Sequence, residues 1–233
     1  VVKTHIIRLR PYFFYFSLLI SIVVIILSLF SIKYGDNFKK VKERLRISEA
    51  KNELLQNNIR ELFDGILIKI HKIIVNSHND TRISIYYHTE VDGFIMIGRY
   101  SPNPTLNIAG RGSYPSGEGI IAEGWKNSWA FEDFRNKTAE QRIEIFKTKY
   151  AMVNPERLTM NPVQIAALRL TGPSDIPSKI NLGVIVVETM NSGLCQEGPL
   201  QDILKEQSDY LATTIRVLQE FIPRPESAAS IES

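Results

Sequence analysis

The sequence predicts an α+β domain, an antiparallel sheet flanked by helices, carried behind one N-terminal transmembrane helix. Three observations predict it. Residues 13–32 form an unbroken apolar run. Two stretches, residues 82–101 and 163–190, break into short β-branched and aromatic segments separated by turn residues. Apolar stripes of helical period stand before the first of these stretches and after the second.

Residues 1–10 read as a short basic tail and residues 11–32 as the membrane span. From Phe13 to Ile32 the chain runs FFYFSLLISIVVIILSLFSI, with no charge, Gly or Pro and with Ser17, Ser21, Ser28 and Ser31 as its polar interruptions. At about 1.5 Å per residue such a run covers roughly 30 Å, the thickness of the hydrocarbon core. A serine hydroxyl inside a helix bonds back to the preceding turn, so these four are tolerated. A cleaved signal peptide has an apolar region of about 7–15 residues followed by small residues. The run here is longer and ends in Ser31-Ile32-Lys33-Tyr34, which leaves an uncleaved signal sequence as the alternative. Tyr12, Tyr15 and Tyr34 stand near its ends, where amphipathic rings prefer the interface.

Charge gives the expected orientation. Six basic residues follow the span as far as Arg46 and three precede it, which places the C-terminal side in the cytoplasm. The net charge of +3 is unevenly spread: residues 1–46 hold nine Lys/Arg and two Asp/Glu, leaving 19 basic and 23 acidic residues from Ile47 onward. The basicity is therefore juxtamembrane. It suits anionic lipid head groups, or is simply a solvated flank, and it gives no reason to expect nucleic acid as a partner. Cys195 is the only cysteine, so an intramolecular disulfide and a cysteine-built metal site are excluded, in keeping with a reducing compartment. His5, His71, His78 and His88 are too scattered to suggest a metal site.

Residues 33–53 read as a juxtamembrane helical linker and residues 54–222 as the domain. Residues 36–76 contain no Pro and one Gly, and their apolar positions from Leu54 to Ile74 fall three to four apart, as a helix requires. That helix either continues the membrane span or breaks near Gly35. Its stripe serves either as a coiled-coil seam between two copies or as a face packed on the domain. Arg82-Ile-Ser-Ile-Tyr-Tyr-His and Gly93-Phe-Ile-Met-Ile-Gly-Arg-Tyr-Ser, joined across Glu90-Val-Asp-Gly, predict a β-hairpin that Pro102 and Pro104 end. Within it strict alternation puts Phe94, Met96 and Tyr100 on one face, and Ile95, Ile97 and Arg99 on the other. A Gly-rich stretch leads into a short helix over residues 120–126, and a more polar helix follows over residues 139–150. Residues 163–171 and 181–190 predict a second hairpin. A closing helix over residues 200–222 begins just after Pro199, carries a stripe from Leu200 to Ile222 and is stopped by Pro223. Residues 223–233 are polar and expected to be disordered.

Tyr114-Pro-Ser-Gly-Glu-Gly-Ile-Ile-Ala-Glu-Gly-Trp-Lys-Asn-Ser-Trp-Ala-Phe resembles the segment of GAF domains in which a Gly-Glu-Gly turn and a short helix lead to the next strand. Leu182-Gly-Val-Ile-Val-Val-Glu-Thr followed by a striped helix resembles the end of the same fold. The resemblance covers about residues 54–222, and PAS is the competing fold. Independently of any family, Gly117 and Gly119 permit a sharp reversal that brings the start of the next helix, with its unpaired amides, against the sheet. In GAF domains that space is a small-molecule pocket, so the resemblance implies a sensor; the alternative it leaves is a dimerisation module that binds nothing. Bilin-binding members attach their chromophore through a cysteine, and Cys195 before the final helix does not match that place. The Asn-Lys-Phe-Asp-Glu-like signature of cyclic-nucleotide-binding members is absent, and the methionine sulfoxide reductases of this fold need more than one cysteine.

The candidate ligand-binding residues are Arg99, Tyr100, Tyr114, Trp125, Trp129, Arg169 and Glu188. Trp125 and Trp129, with Tyr114 and Phe131, are aromatic candidates for a pocket wall, against a core role. Arg169 and Glu188 interrupt apolar strands, where a surface cross-strand ion pair is the simpler expectation. Ser113 and Ser116 lie on Gly-rich turns with no legible His-acid partner, so a catalytic serine is not expected. The expected protein is a membrane-anchored, cytoplasm-facing, non-enzymatic sensor that binds a small molecule or partner and passes its state through linker helices. The alternative is a non-enzymatic membrane effector or scaffold whose domain mediates oligomerisation. Expected partners are membrane lipid, a small-molecule ligand of unassigned identity, a second copy of the chain and a separate output protein, since no kinase, cyclase or DNA-binding segment follows in the sequence.

Overall fold

The computed structural model describes residues 2–75, 78–107, 112–158, 160–172, 180–191 and 195–222, with side chains described at all of these except 2–14, 29–33, 35–37, 75 and 157. The chain divides into two compact units, Val1–Leu54 and Leu55–Ser233. The first helix, α1, is Val2–Val75. It contains no break at Gly35.

In the first unit every described side chain is exposed. Ser21 donates to the carbonyl of Ser17 at 3.0 Å and Ser28 to that of Val24 at 2.8 Å, the back-bonding expected of serines in an apolar helix. Among the described residues no helix is long and apolar enough to cross a membrane. Of the expected span 11–32, the side chains of residues 11–14 and 29–32 lie outside the described residues. The expected tail 223–233 lies outside them as well.

The second unit is built on one antiparallel sheet. Its strands are β1 (Thr81–Thr89), β2 (Gly93–Tyr100), β3 (Ser113–Tyr114), β4 (Trp129–Asp133), β5 (Gln164–Thr171) and β6 (Asn181–Thr189), in the spatial order β3-β2-β1-β6-β5-β4. Between them lie α2 (Pro104–Asn107), α3 (Gly119–Asn127) and α4 (Ala139–Thr148), and α5 (Glu197–Leu218) closes the unit. Thr138 and Gln141 form a reciprocal capping box that starts α4 where the sequence placed it. Both expected hairpins form. The tie between them is β1 against β6, with Arg82 opposite Glu188 and Ser84 opposite Val186.

Two apolar layers sandwich the sheet. On one face Phe63, Leu67 and Ile70 of α1 and Leu204, Leu211 and Ile215 of α5 pack against Ile83, Ile85, Ile185 and Val187. On the other face Ile120 and Ile121 of α3 and Phe146 of α4 pack against Tyr86, Phe94, Val184 and Val186. Ile59, Phe63, Ile66, Leu67 and Ile70 of the α1 stripe are thus covered within their own unit, while Leu62 and Ile73 stay exposed. Gly124 makes the α3 layer possible: a Cβ there would lie 2.6 Å from the Ala167 Cβ and 2.9 Å from the Ala167 carbonyl oxygen of β5.

Strict alternation in β2 fails. Ile85 pairs with Gly98 but its neighbour Tyr86 pairs with Met96, so Ile97 is an extra residue and the strand is bulged. Phe94 and Met96 consequently face the α3–α4 layer, whereas Tyr100 packs in the α1–α5 layer. A single inserted residue exchanges faces for everything beyond it, because side chains alternate with period two.

Candidate functional site

The bulge sets up the site. It turns Arg99 onto the face where Arg82, Ser84 and Tyr86 already stand, two residues apart along β1. The Arg99 Nε donates to the Ser84 hydroxyl at 3.2 Å and its Nη2 to the Tyr86 hydroxyl at 3.4 Å. Beside them the Arg82 Nε donates to Glu188 Oε2 at 2.7 Å, and its Nη2 lies 2.7 Å from the same oxygen. Tyr114 on β3 meets Tyr86 edge to face, with ring centroids 5.7 Å apart. Arg82, Arg99 and Glu188 are 3%, 7% and 7% exposed, so three ionised groups sit inside the protein on one face of one sheet.

Burial opposes the charge on Arg82, but the adjacent Glu188 carboxylate outweighs it and holds the guanidinium pKa above its ordinary value. Burial also drives the Tyr114 hydroxyl far up, helped by Tyr86 and Glu188, so it stays protonated and able to donate.

A small cavity of about 40 Å³ opens over this polar wall. Arg82, Tyr86, Tyr114 and Glu188 line its sheet side, and Ile120, Phe146, Met152 and Leu158 line the side opposite. The Gly-rich turn holds that second side in place. Gly119, at φ +81°, turns the chain into α3 and donates its N–H to the Tyr150 carbonyl at 2.8 Å. Buried Glu118 accepts from the Val153 N–H at 3.2 Å, tying the same turn to the segment that follows α4. Tyr150 and Lys149 both donate to Glu132 of β4.

Of the sequence candidates, Tyr114 and Glu188 reach the cavity and Arg99 supports its wall through Tyr86. Glu188 does have a cross-strand partner, but the pair is buried, not at the sheet surface, and the partner is Arg82. Tyr100 lies on the opposite face, edge-on to His71 at 5.3 Å. Trp125 stacks on His88 at 4.2 Å. Arg169 clamps the end of α3, its Nη1 donating to the Trp125 carbonyl at 2.8 Å and its Nη2 to the Ser128 hydroxyl at 2.6 Å. Trp129 donates to Glu197 of α5 and shares a shallow polar groove with Arg169 and Lys205. The sequence reading missed Arg82, Ser84 and Tyr86. Their signal was present, since Arg-Ile-Ser-Ile-Tyr alternates polar and aliphatic residues with period two.

One serine has a histidine neighbour that the sequence does not reveal. His88 Nε2 lies 3.0 Å from the Ser116 hydroxyl, a contact between residues 28 apart that no local spacing reveals. Burial lowers the His88 pKa, and among the described residues no carboxylate hydrogen-bonds the ring. Burial pushes the Cys195 thiol up to about 11, which keeps it unreactive. Among the described residues no His, Cys, Asp and Glu side chains gather as a metal-binding group.

No protein-family model matches the chain, and no curated protein does. Solved structures do. A type II free methionine-R-sulfoxide reductase from Thermoplasma acidophilum is similar at 10% identity and TM-score 0.48, over 72% of this chain and 97% of that one. The GAF domain of a two-component sensor histidine kinase from Bacillus halodurans is similar at 15% identity and TM-score 0.47, over 69% and 96%. The GAF domain of an Acinetobacter phosphoenolpyruvate-protein phosphotransferase is similar at 12% identity and TM-score 0.48, over 75% and 95%. The order of elements is the one the resemblance implies: helix, strand pair, Gly-rich turn into a short helix, a further helix, a second strand pair and a closing helix. The fold is GAF-like.

Proposed function

We propose that this chain is a membrane-anchored sensory protein whose GAF-like domain binds a small molecule in the cavity between the sheet and the α3–α4 layer. It acts without catalysis, faces the cytoplasm and passes its state to a separate output protein or to the anchor itself. The observation that carries this reading is the buried Arg82–Glu188 pair on the cavity wall. Removing two charges from water is costly, and apolar residues of similar size commonly serve stability as well or better. Such a pair bordering a cavity is better suited to recognition than to packing.

A route from the cavity to the helices supports the signalling part. The Arg99 side chain stands in the polar wall, while its backbone N–H donates at 3.2 Å to Asp64 of α1. Gly98, its neighbour, lies directly under Phe63 and Leu67 of the same helix. A ligand that moves Arg99 therefore acts on α1 through one residue, and coupling follows if it binds two arrangements of that contact unequally. Leu62 and Ile73 of α1, with Tyr210 and Val217 of α5, are exposed apolar residues that suit a second copy of the chain.

The test is native mass spectrometry of the full chain purified in detergent, compared with an Ile120→Trp variant that fills the cavity. A small molecule retained by the parent and lost from the variant is the expected result. A chain that carries nothing, and whose small-molecule affinities Ile120→Trp leaves unchanged, removes the sensor reading.

A further inference from the structure

The chemistry of the cavity wall narrows the ligand class, and the argument rests on the cavity being the ligand site. The Arg82 Nε and Nη2 both lie 2.7 Å from Glu188 Oε2. A carboxylate has about four acceptor positions on its two oxygens, and among the described residues Oε1 accepts no hydrogen bond. The wall thus offers an anionic acceptor. It also offers positive potential from the guanidinium groups of Arg82 and Arg99, and a Tyr86 hydroxyl that accepts from Arg99 and has its own proton to donate. A simple anion placed here is drawn by the arginines but meets the Glu188 carboxylate. A simple cation has the reverse difficulty. Beside a largely apolar wall neither conflict is fully screened. A molecule with both charges a few bonds apart satisfies both, and the opposite wall, with Ile120, Phe146 and Met152, accommodates only an apolar remainder.

We infer that the ligand is a small zwitterion with an apolar side group, an α-amino acid or a compound with the same head group, its ammonium on Glu188 and its carboxylate beside Tyr86 and the two arginines. The full chain in detergent micelles is titrated calorimetrically with leucine and methionine, with N-acetyl-leucine, which lacks the ammonium, with leucinamide, which lacks the carboxylate, and with 4-methylpentanoate. The amino acids bind, and each capped form binds about tenfold or more weakly, the cost of one lost charge-assisted contact. Because Glu188→Gln strands Arg82 in the interior and risks the fold, Tyr86→Phe is the companion variant; it weakens the amino acid more than it weakens 4-methylpentanoate amide, a neutral control. Equal binding of N-acetyl-leucine or leucinamide overturns the zwitterion while leaving the cavity as the site, provided Ile120→Trp abolishes that binding. Failure of every compound overturns the zwitterion, and the mass spectrum of co-purifying molecules then decides separately whether the cavity reading falls with it.

Discussion

His71 shows how a single buried residue links pH to stability. It is fully buried in α1, and among the described residues neither ring nitrogen has a partner within hydrogen-bond geometry. Burial lowers its pKa, with the nearby Thr81 carbonyl opposing that shift and His78 adding to it. Above the unfolded value of about 6.5, both states hold a neutral ring and the residue contributes no pH dependence. As pH falls below that value the unfolded chain takes up a proton that the folded one refuses, so stability declines towards the lower folded pKa, at no more than about 1.4 kcal/mol per pH unit. Urea midpoints of the full chain at pH 7.5 and 5.5 check this, and His71→Leu is expected to flatten the difference. A wild-type midpoint that rises on acidification in this window, with His71→Leu unchanged from it, contradicts the assignment.

Among the elements, α3 forms one wall of the cavity and is fixed at both ends. The Gly119 turn holds its start, and Arg169 holds its end at Ser128, whose φ of 72° stops the helix. Between these points the Gly124 contact lets it approach β5. Gly124→Val adds a branched side chain where no Cβ fits, and is expected to destabilise the domain by about 1–3 kcal/mol or more. Denaturant unfolding checks the loss, and it is expected to come with weakened ligand binding as α3 lifts from the sheet.

The hairpin strands and the long helices were legible in sequence, because each repeats a local period that packing then satisfies. β3 was not, since two residues leave no period to read. The bulge at Ile97 was not legible either: nothing in Gly-Phe-Ile-Met-Ile-Gly-Arg-Tyr marks the extra residue, and the phase of β2 is decided by its register on β1. That one shift moved Tyr100 away from the candidate site and brought Arg99 into it.

For the whole molecule, the question is how the domain and its N-terminal segment are used together. The proposed anchor is the apolar run 11–32. On the proposed reading, the full chain expressed in a bacterial cell sediments with membranes and stays there through alkaline carbonate washing. Replacing residues 11–32 with a polar helical sequence is expected to release it to the soluble fraction with the domain still folded by circular dichroism. Release of the parent chain by carbonate alone contradicts the anchor.

The sequence by itself determined the long helices, the two hairpins and where the Gly-rich turn reverses the chain, because these follow from residue types a few positions apart. It also determined the charge asymmetry that sets the expected orientation. Tertiary structure alone decided the site. Arg82 and Glu188 are 106 residues apart, and only the alignment of β1 on β6 sets them opposite each other. Local spacing has no access to that choice, because register is a property of two strands and of the core that both must cover.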